Sequence, residues 1–175
     1  MEIYVPDVYS ESIFTINYKK LYTNGIRFLL FDLDNTIIPY DKKDVDEKTI
    51  RLFEMLKKNG MTPIIFSNSP KKRVEKFAKK LNVDFVSSAK KPLSKSYLET
   101  LRKYKFKVNE TAMIGDQLLT DIKGGNRVGI ITVLVNPISS YDPIWTKIGR
   151  MREKTLKEKM REKGIFKGRF YDEKM

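Results

Sequence analysis

From Arg27 onward, short apolar runs alternate with longer stretches in which apolar residues recur every three or four positions. That alternation predicts an α/β fold, with helices crossing between the buried strands of a parallel sheet, in the order β-α-β-α-β-α-β-α-β. The first strand is Phe28-Leu29-Leu30-Phe31, and it ends in Asp32-Leu33-Asp34. A helix follows from about Asp46 to Asn59, where Asp44 and Glu47 have capping-box spacing and Gly60 supplies the stop. The second strand, Pro63 to Phe66, runs into Ser67-Asn68-Ser69-Pro70. There Ser69 reads as an N-cap and Pro70 as the first position of a helix carrying Val74, Phe77, Ala78 and Leu81.

A short strand, Asp84 to Val86, leads to the loop Ser88-Ala89-Lys90-Lys91-Pro92 and a helix holding Tyr97, Leu98, Leu101 and Tyr104. The strand Thr111 to Ile114 ends in Gly115-Asp116-Gln117, and a short helix carries Asp121. Gly124-Gly125-Asn126 reads as a break before the last strand, Ile130 to Val135. Upstream lie an extended lead-in and a helix ending at Asn24-Gly25; downstream, Asp142-Pro143 opens a long basic helix to about Lys163. The 175 residues make one domain, with a core at about 26–140, a lead-in at 1–25 and a basic tail at 141–175.

Two zeros in the composition narrow the chemistry. With no Cys and no His, the chain cannot use a Ser-His-Asp triad, a thiolate nucleophile, a phosphohistidine or a His/Cys zinc site. Carboxylate, hydroxyl and amine chemistry remain. No apolar stretch approaches the length of a membrane span and the first residues do not read as a signal peptide, so the expectation is a cytoplasmic protein. The net charge of +13 suits an anionic partner such as nucleic acid, an anionic membrane surface or a phosphorylated small molecule. A solvated Lys/Glu-rich surface would account for it equally well.

The polar residues collect where an open parallel sheet binds ligands, beyond the carboxyl ends of its strands. Asp32 and Asp34, Ser67 and Asn68, Lys91, and Asp116 each follow an apolar strand or its loop. Converging Asp side chains repel one another, and a hard cation such as Mg²⁺ is the usual way to hold them together. Phosphoryl oxygens would complete its coordination, with Lys91 and the Ser67 hydroxyl supplying charge and a hydrogen bond. The strongest covalent nucleophile left to the chain is an Asp carboxylate, which points to phosphoryl transfer through an aspartyl-phosphate.

These residues carry a family resemblance. Phe31-Asp32-Leu33-Asp34-Asn35-Thr36-Ile37 resembles motif I of the haloacid-dehalogenase (HAD) superfamily, Ser67-Asn68 motif II, Lys91-Pro92 the motif III lysine, and Gly115-Asp116 through Asp121 motif IV. More narrowly, the chain resembles the subclass IIIA phosphatases of the YqeG type, which are similar to mitochondrial phosphatidylglycerophosphate phosphatase. The resemblance implies a three-layer Rossmann-like core. It makes Asp32 the nucleophile and Asp34 the acid that protonates the leaving alcohol and then the base that activates water. It assigns Mg²⁺ to Asp32, the Asp34 carbonyl and Asp116, supported by Asp121, and the substrate phosphate to Ser67, Asn68 and Lys91. Thr36 is either a supporting residue or part of a turn. Ser69 departs from the pattern, since many YqeG-type sequences have a second Asn there.

Other residues have plainer readings. Lys90 is expected to be a solvated neighbour of Lys91, Arg127 an anion contact or a helix C-terminal charge, and Trp145 a packing residue of the tail. The family's cap insertions are absent between Asp34 and Phe66 and between Ser67 and Lys91, so the site should be open and suit a phosphate carried on something large. From Thr146 to Met175 there are eleven basic and five acidic residues, with Ile144, Ile148, Met151, Leu156 and Met160 as an irregular apolar stripe. The stripe could pack on the domain or lie on an anionic bilayer, and both hold if the helix docks while its basic face meets lipid. The expected activity is hydrolysis of phosphatidylglycerophosphate to phosphatidylglycerol at a membrane surface. The alternatives are a phosphatase acting on nucleic-acid or protein phosphates and a non-catalytic RNA-binding module.

Overall fold

The computed structural model describes residues 2–139 and 144–162, with only the backbone of 144–148 and 150. Six parallel strands, β1 (Val8–Ser10), β2 (Phe28–Phe31), β3 (Thr62–Phe66), β4 (Phe85–Val86), β5 (Thr111–Gly115) and β6 (Ile131–Val135), form one sheet in the order β1-β6-β5-β2-β3-β4. From β2 the chain steps outward to β3 and β4, then returns to the other side of β2 as β5. The strand order therefore reverses between β2 and β5, where the loops on either side diverge and leave a crevice. Phe31 pairs with Ile114 across that junction, so Asp32 leaves the sheet beside Gly115, one residue before Asp116.

Alternate side chains of β2 enter different cores, as the twofold strand period requires. Leu29 and Phe31 pack with Phe53 and Leu56 of α2 (Glu47–Lys58) and with Val74 and Phe77 of α3 (Lys71–Leu81). Leu30 faces the opposite layer, with Tyr97 and Leu101 of α4 (Ser94–Tyr104). The sheet thus lies between two helical layers. The lead-in helix α1 (Tyr18–Thr23) ends at Asn24 as expected, but the lead-in also supplies β1, an edge strand paired with β6.

Three local expectations change. Asp46, not Asp44, caps α2 by accepting from Thr49 N at 2.8 Å, while the Asp44 carboxylate pairs with Lys80. Pro70 takes the cap position of α3 with extended backbone, and the Ser69 hydroxyl turns to Asp34 instead of the helix. Gly124 and Gly125 lie inside α5 (Lys123–Val128), which ends at left-handed Gly129. A Cβ on Gly124 would stand 2.5 Å from the Tyr97 ring and one on Gly125 2.6 Å from Thr132, so these glycines let the helix approach its neighbours.

The basic helix is α6 (Ile144–Glu162); Asp142, Pro143 and the Trp145 side chain fall outside the described residues. Glu153, Leu156 and Met160 share its inward face by helical spacing, and Leu156 and Met160 pack with Leu118, Ile122 and Leu134. Met151 points outward and is 74% exposed, so the apolar stripe is divided between the two faces. Among the described residues, no helix is long and apolar enough to cross a membrane.

Candidate active site

Asp32 continues β2, its backbone N–H bonded to Ile114 O at 2.9 Å, and its carboxylate is buried. The chain then closes a tight loop. Asn35 adopts the left-handed conformation (φ 60°), which Asn tolerates better than most residues. Its N–H donates to Ile38 O at 2.7 Å and its side-chain oxygen accepts from Tyr40 N at 3.2 Å. Inside the loop the Thr36 hydroxyl lies 3.1 Å from Asp116 Oδ1 and 3.5 Å from Asp32 Oδ2. Thr36 therefore joins the ends of β2 and β5.

Ser67 ends β3 in a buried position, and its Oγ accepts from Ser69 N at 3.1 Å. Asn68 is bound to the loop that carries Lys91. Its carboxamide oxygen accepts from Lys91 N at 2.7 Å and its amide donates to Lys91 O at 3.2 Å, so Asn68 fixes the backbone of the lysine loop. The Lys91 side chain is buried, with Nζ 2.6 Å from Asp32 Oδ1 and 2.7 Å from Asp121 Oδ1. Lys90 is exposed. Arg127 is exposed in the last turn of α5, where it donates to Pro92 O at 3.3 Å.

Asp116 and Asp121 come from the β5 end and the π-helical turn Leu118–Ile122 that follows. Asp121 Oδ2 accepts from Gln117 N at 3.1 Å, tying the turn to its own start. Gly115 makes this possible, because a Cβ there would sit 2.3 Å from the Asp121 carboxyl carbon. The first N–H groups of the turn also need acceptors. Leu119 N finds one in Glu153 Oε1 of α6, 2.9 Å away and buried.

Asp32, Asp116 and Asp121 each place an oxygen within 4.8 Å of the others, all buried, and the Lys91 ammonium pairs with two of them, Asp32 and Asp121. Burial is the main cause that pushes the Asp32 carboxyl up, to about 7; the nearby Lys91 charge opposes this, and those of Asp121 and Asp34 add to it. Burial likewise raises Asp121, again against Lys91. For Lys91 itself burial favours the neutral amine, but Asp121 and Asp32 together outweigh it and keep the ammonium charged. Three buried carboxylates within reach of one another form a hard-oxygen set, which fits a divalent ion such as Mg²⁺.

Asp34 stands apart from this cluster. Arg73 of α3 reaches its Oδ1 through Nε at 2.8 Å and Nη2 at 2.6 Å, and the Ser69 hydroxyl bonds its Oδ2. Sequence reasoning passed over both Arg73 and Glu153. Arg73 had one signal, because α3 opens with Lys71-Lys72-Arg73 and cations in a first turn oppose the helix dipole unless an anion answers them. Glu153 had none within its run of alternating charges.

A family model for haloacid dehalogenase-like hydrolases matches residues 37–129. Over 163 residues, 93% of this chain and 95% of the relative, the sequence is 34% identical to the probable phosphatase YqeG of Bacillus subtilis (strain 168). It is 26% identical over 159 residues to the chloroplastic phosphatidylglycerophosphate phosphatase 1 of Chlamydomonas reinhardtii, covering 85% of this chain and 59% of that one. The solved structure of the cobalt-bound deoxy-D-mannose-octulosonate 8-phosphate phosphatase from Haemophilus influenzae shares the fold, with TM-score 0.54 at 15% identity over 74% of this chain and 77% of that one. The sheet order, the ordered motifs and this agreement lead to one conclusion: the chain belongs to the haloacid dehalogenase-like hydrolases, among the family's phosphatases.

Proposed function

We propose that this protein is a Mg²⁺-dependent phosphomonoester hydrolase that works through an aspartyl-phosphate on Asp32. The observation that carries the reading is the Asp32 carboxylate at the β2–β5 crevice, 2.6 Å from Lys91 Nζ and in one cluster with Asp116 and Asp121. Asp32, Asp116 and the Asp34 carbonyl would hold Mg²⁺, which when bound offsets the carboxylate charges and those of the phosphoryl oxygens. Asp121 supports that set by fixing Lys91.

In the first half-reaction a carboxylate oxygen of Asp32 attacks phosphorus and the ester P–O bond breaks. Asp34 gives its proton to the departing alkoxide, so the alcohol leaves neutral. Lys91 and the Ser67 hydroxyl stabilise the charge developing on the phosphoryl oxygens. Asn68 contributes by holding the Lys91 backbone in place. In the second half-reaction Asp34 takes a proton from water as the water attacks phosphorus. The bond from phosphorus to the Asp32 oxygen breaks, releasing phosphate and restoring both carboxyl groups.

Phosphatidylglycerophosphate is the substrate we assign, giving phosphatidylglycerol. The similarity to the chloroplastic phosphatidylglycerophosphate phosphatase supports it, as does the absence of a cap insertion along the described chain. The outward face of α6 carries exposed Lys154, Lys159 and Arg161 beside Met151, a surface suited to an anionic bilayer. The test is phosphate release with and without Mg²⁺ from this lipid in anionic liposomes, an aryl phosphate and a 5′-phosphorylated oligonucleotide, with Asp32→Asn as control. A Mg²⁺-dependent preference for the lipid, lost in Asp32→Asn, is expected. Turnover of the oligonucleotide alone overturns the substrate assignment, and a wild type silent on all three overturns the phosphatase reading.

A further inference from the structure

Asp34 must present its carboxyl to two partners in turn, the leaving alcohol and then water, yet it sits in a loop and is only partly buried, its side chain 18% exposed. An unsupported carboxylate in such a loop samples several rotamers. Here both of its oxygens are held from the α3 side. Arg73 Nε and Nη2 converge on Oδ1 at 2.8 and 2.6 Å, and Ser69 donates to Oδ2. The guanidinium is fixed in turn, since Nη2 also donates to Tyr40 O at 2.8 Å and the group lies 5.0 Å from the Tyr40 ring and 5.2 Å from that of Phe77. None of these contacts involves the cluster of Asp32, Lys91, Asp116 and Asp121. One end of the crevice holds the nucleophile and the carboxylates proposed to bind metal, and another set of side chains holds the Asp34 carboxyl.

We infer that Arg73, together with Ser69, is a positioning residue that aims the Asp34 carboxyl at the leaving-group oxygen. The inference rests on Asp34 being the acid and base of the proposed reaction. A planar fork fits this task better than a Lys point charge, because it can hold one carboxylate oxygen and the Tyr40 carbonyl at once. Loss of the clamp lowers the rate of the step in which Asp34 protonates the alcohol. The clamp holds the Asp34 side chain and not its backbone carbonyl, so the nucleophile and the metal ligands are left in place.

The leaving group separates this role from general support of the fold. A 4-nitrophenolate departs without a proton, whereas an alkoxide needs one. Values of kcat/KM include only the steps through alcohol release, before Asp34 has to act on water. The experiment compares kcat/KM for 4-nitrophenyl phosphate and glycerol phosphate in wild type, Arg73→Ala, Arg73→Lys and Ser69→Ala, alongside thermal melting and the Mg²⁺ activation constant. For Arg73→Ala we expect a loss of about 100-fold on glycerol phosphate and less than about 3-fold on the aryl ester, with Mg²⁺ activation unchanged. Arg73→Lys should recover part of the loss. Ser69→Ala, which leaves the ion pair intact, should show the same selectivity at about 10-fold. Equal losses on both esters, or none on glycerol phosphate, overturn the inference even though the phosphatase reading stands. A wild type that hydrolyses neither ester nor phosphatidylglycerophosphate in liposomes overturns both.

Discussion

Gly115→Ala tests how closely the turn that carries Asp121 is built against the end of β5. The added Cβ would stand 2.3 Å from Cγ and Oδ2 of Asp121 and 2.6 Å from its Cβ. Non-bonded carbon atoms settle at about 3.5 Å, so the carboxylate must retreat by roughly 1.2 Å. Its two oxygens are engaged at 2.7 Å with Lys91 Nζ and at 3.1 Å with Gln117 N, and a shift of that size breaks at least one of these bonds. Overpacking costs about 1–3 kcal/mol, and weakening a buried ion pair adds to it, so a total of about 3 kcal/mol is expected. For a domain of this size that corresponds to a fall in Tm of roughly 6–12 °C. Displacement of the group that orients Lys91 should also lower kcat/KM by about 100-fold. Thermal melts and phosphate-release kinetics over a Mg²⁺ titration measure both effects. Introducing Asp121→Gly first removes every atom of the clash, and Gly115→Ala should then add little further loss of stability. A Gly115→Ala single variant that melts and turns over like wild type would refute the packing argument.

Two further outcomes follow from the same cluster. Because burial raises the Asp32 carboxyl from 3.8 to about 7, the metal-free native state holds a proton there that the unfolded chain releases. The stability this gives is fully present below about pH 4 and is lost as pH rises through about 7, so Tm without metal should fall across that window. Mg²⁺ should restore it at pH 7 and Asp32→Asn should make the profile shallower, leaving the part due to Asp121, which burial also raises; a wild-type Tm independent of pH would contradict the assignment. At the tail helix, Glu153→Ala removes the acceptor of Leu119 N and should cost about 1–3 kcal/mol, whereas Glu153→Gln keeps an oxygen in place and should lose less. Glu153→Ala should also raise the Mg²⁺ concentration needed for half-activation, and equal behaviour of the two variants in melting and activation would count against the contact.

Which features could be read from the chain depended on whether their cause was local. β2, β3, β5 and β6 were visible because a strand covered on both faces must be a continuous apolar run, and polar side chains at its end then stand out. Asp32, Asp34, Ser67, Lys91 and Asp116 stood out in this way, and the fold places them in the loops beyond the carboxyl ends of β2, β3, β4 and β5. β1 was read only as extended, because Val8-Tyr9-Ser10 is short and pairs on one side alone. Ser69 and Pro70 illustrate a competition that local rules cannot decide. Serine before proline is a sound cap signal, but Asp34, distant in sequence, is a charged acceptor and takes the hydroxyl.

The same competition explains the remaining differences. A Gly-Gly pair costs a helix about 1 kcal/mol per residue and so reads as a break. In α5 that cost is offset because Tyr97 and Thr132 occupy the space where side chains would have stood. Glu153 sits among Lys and Arg, charged positions of the tail helix that read as solvated, yet its buried carboxylate completes the turn between Asp116 and the helix that follows. Arg73 is one of three consecutive cations, and only the proximity of Asp34 distinguishes it from Lys71 and Lys72. Side chains expected to touch substrate or metal could be read because their chemistry is uncommon at the end of a buried strand. Those that hold them in place are ordinary residues given a role by a distant partner. In a chain without histidine or cysteine, that second group has particular weight. Carboxylates and one lysine are the titratable groups left to the site, so their geometry has to provide what imidazole or thiolate chemistry would otherwise supply.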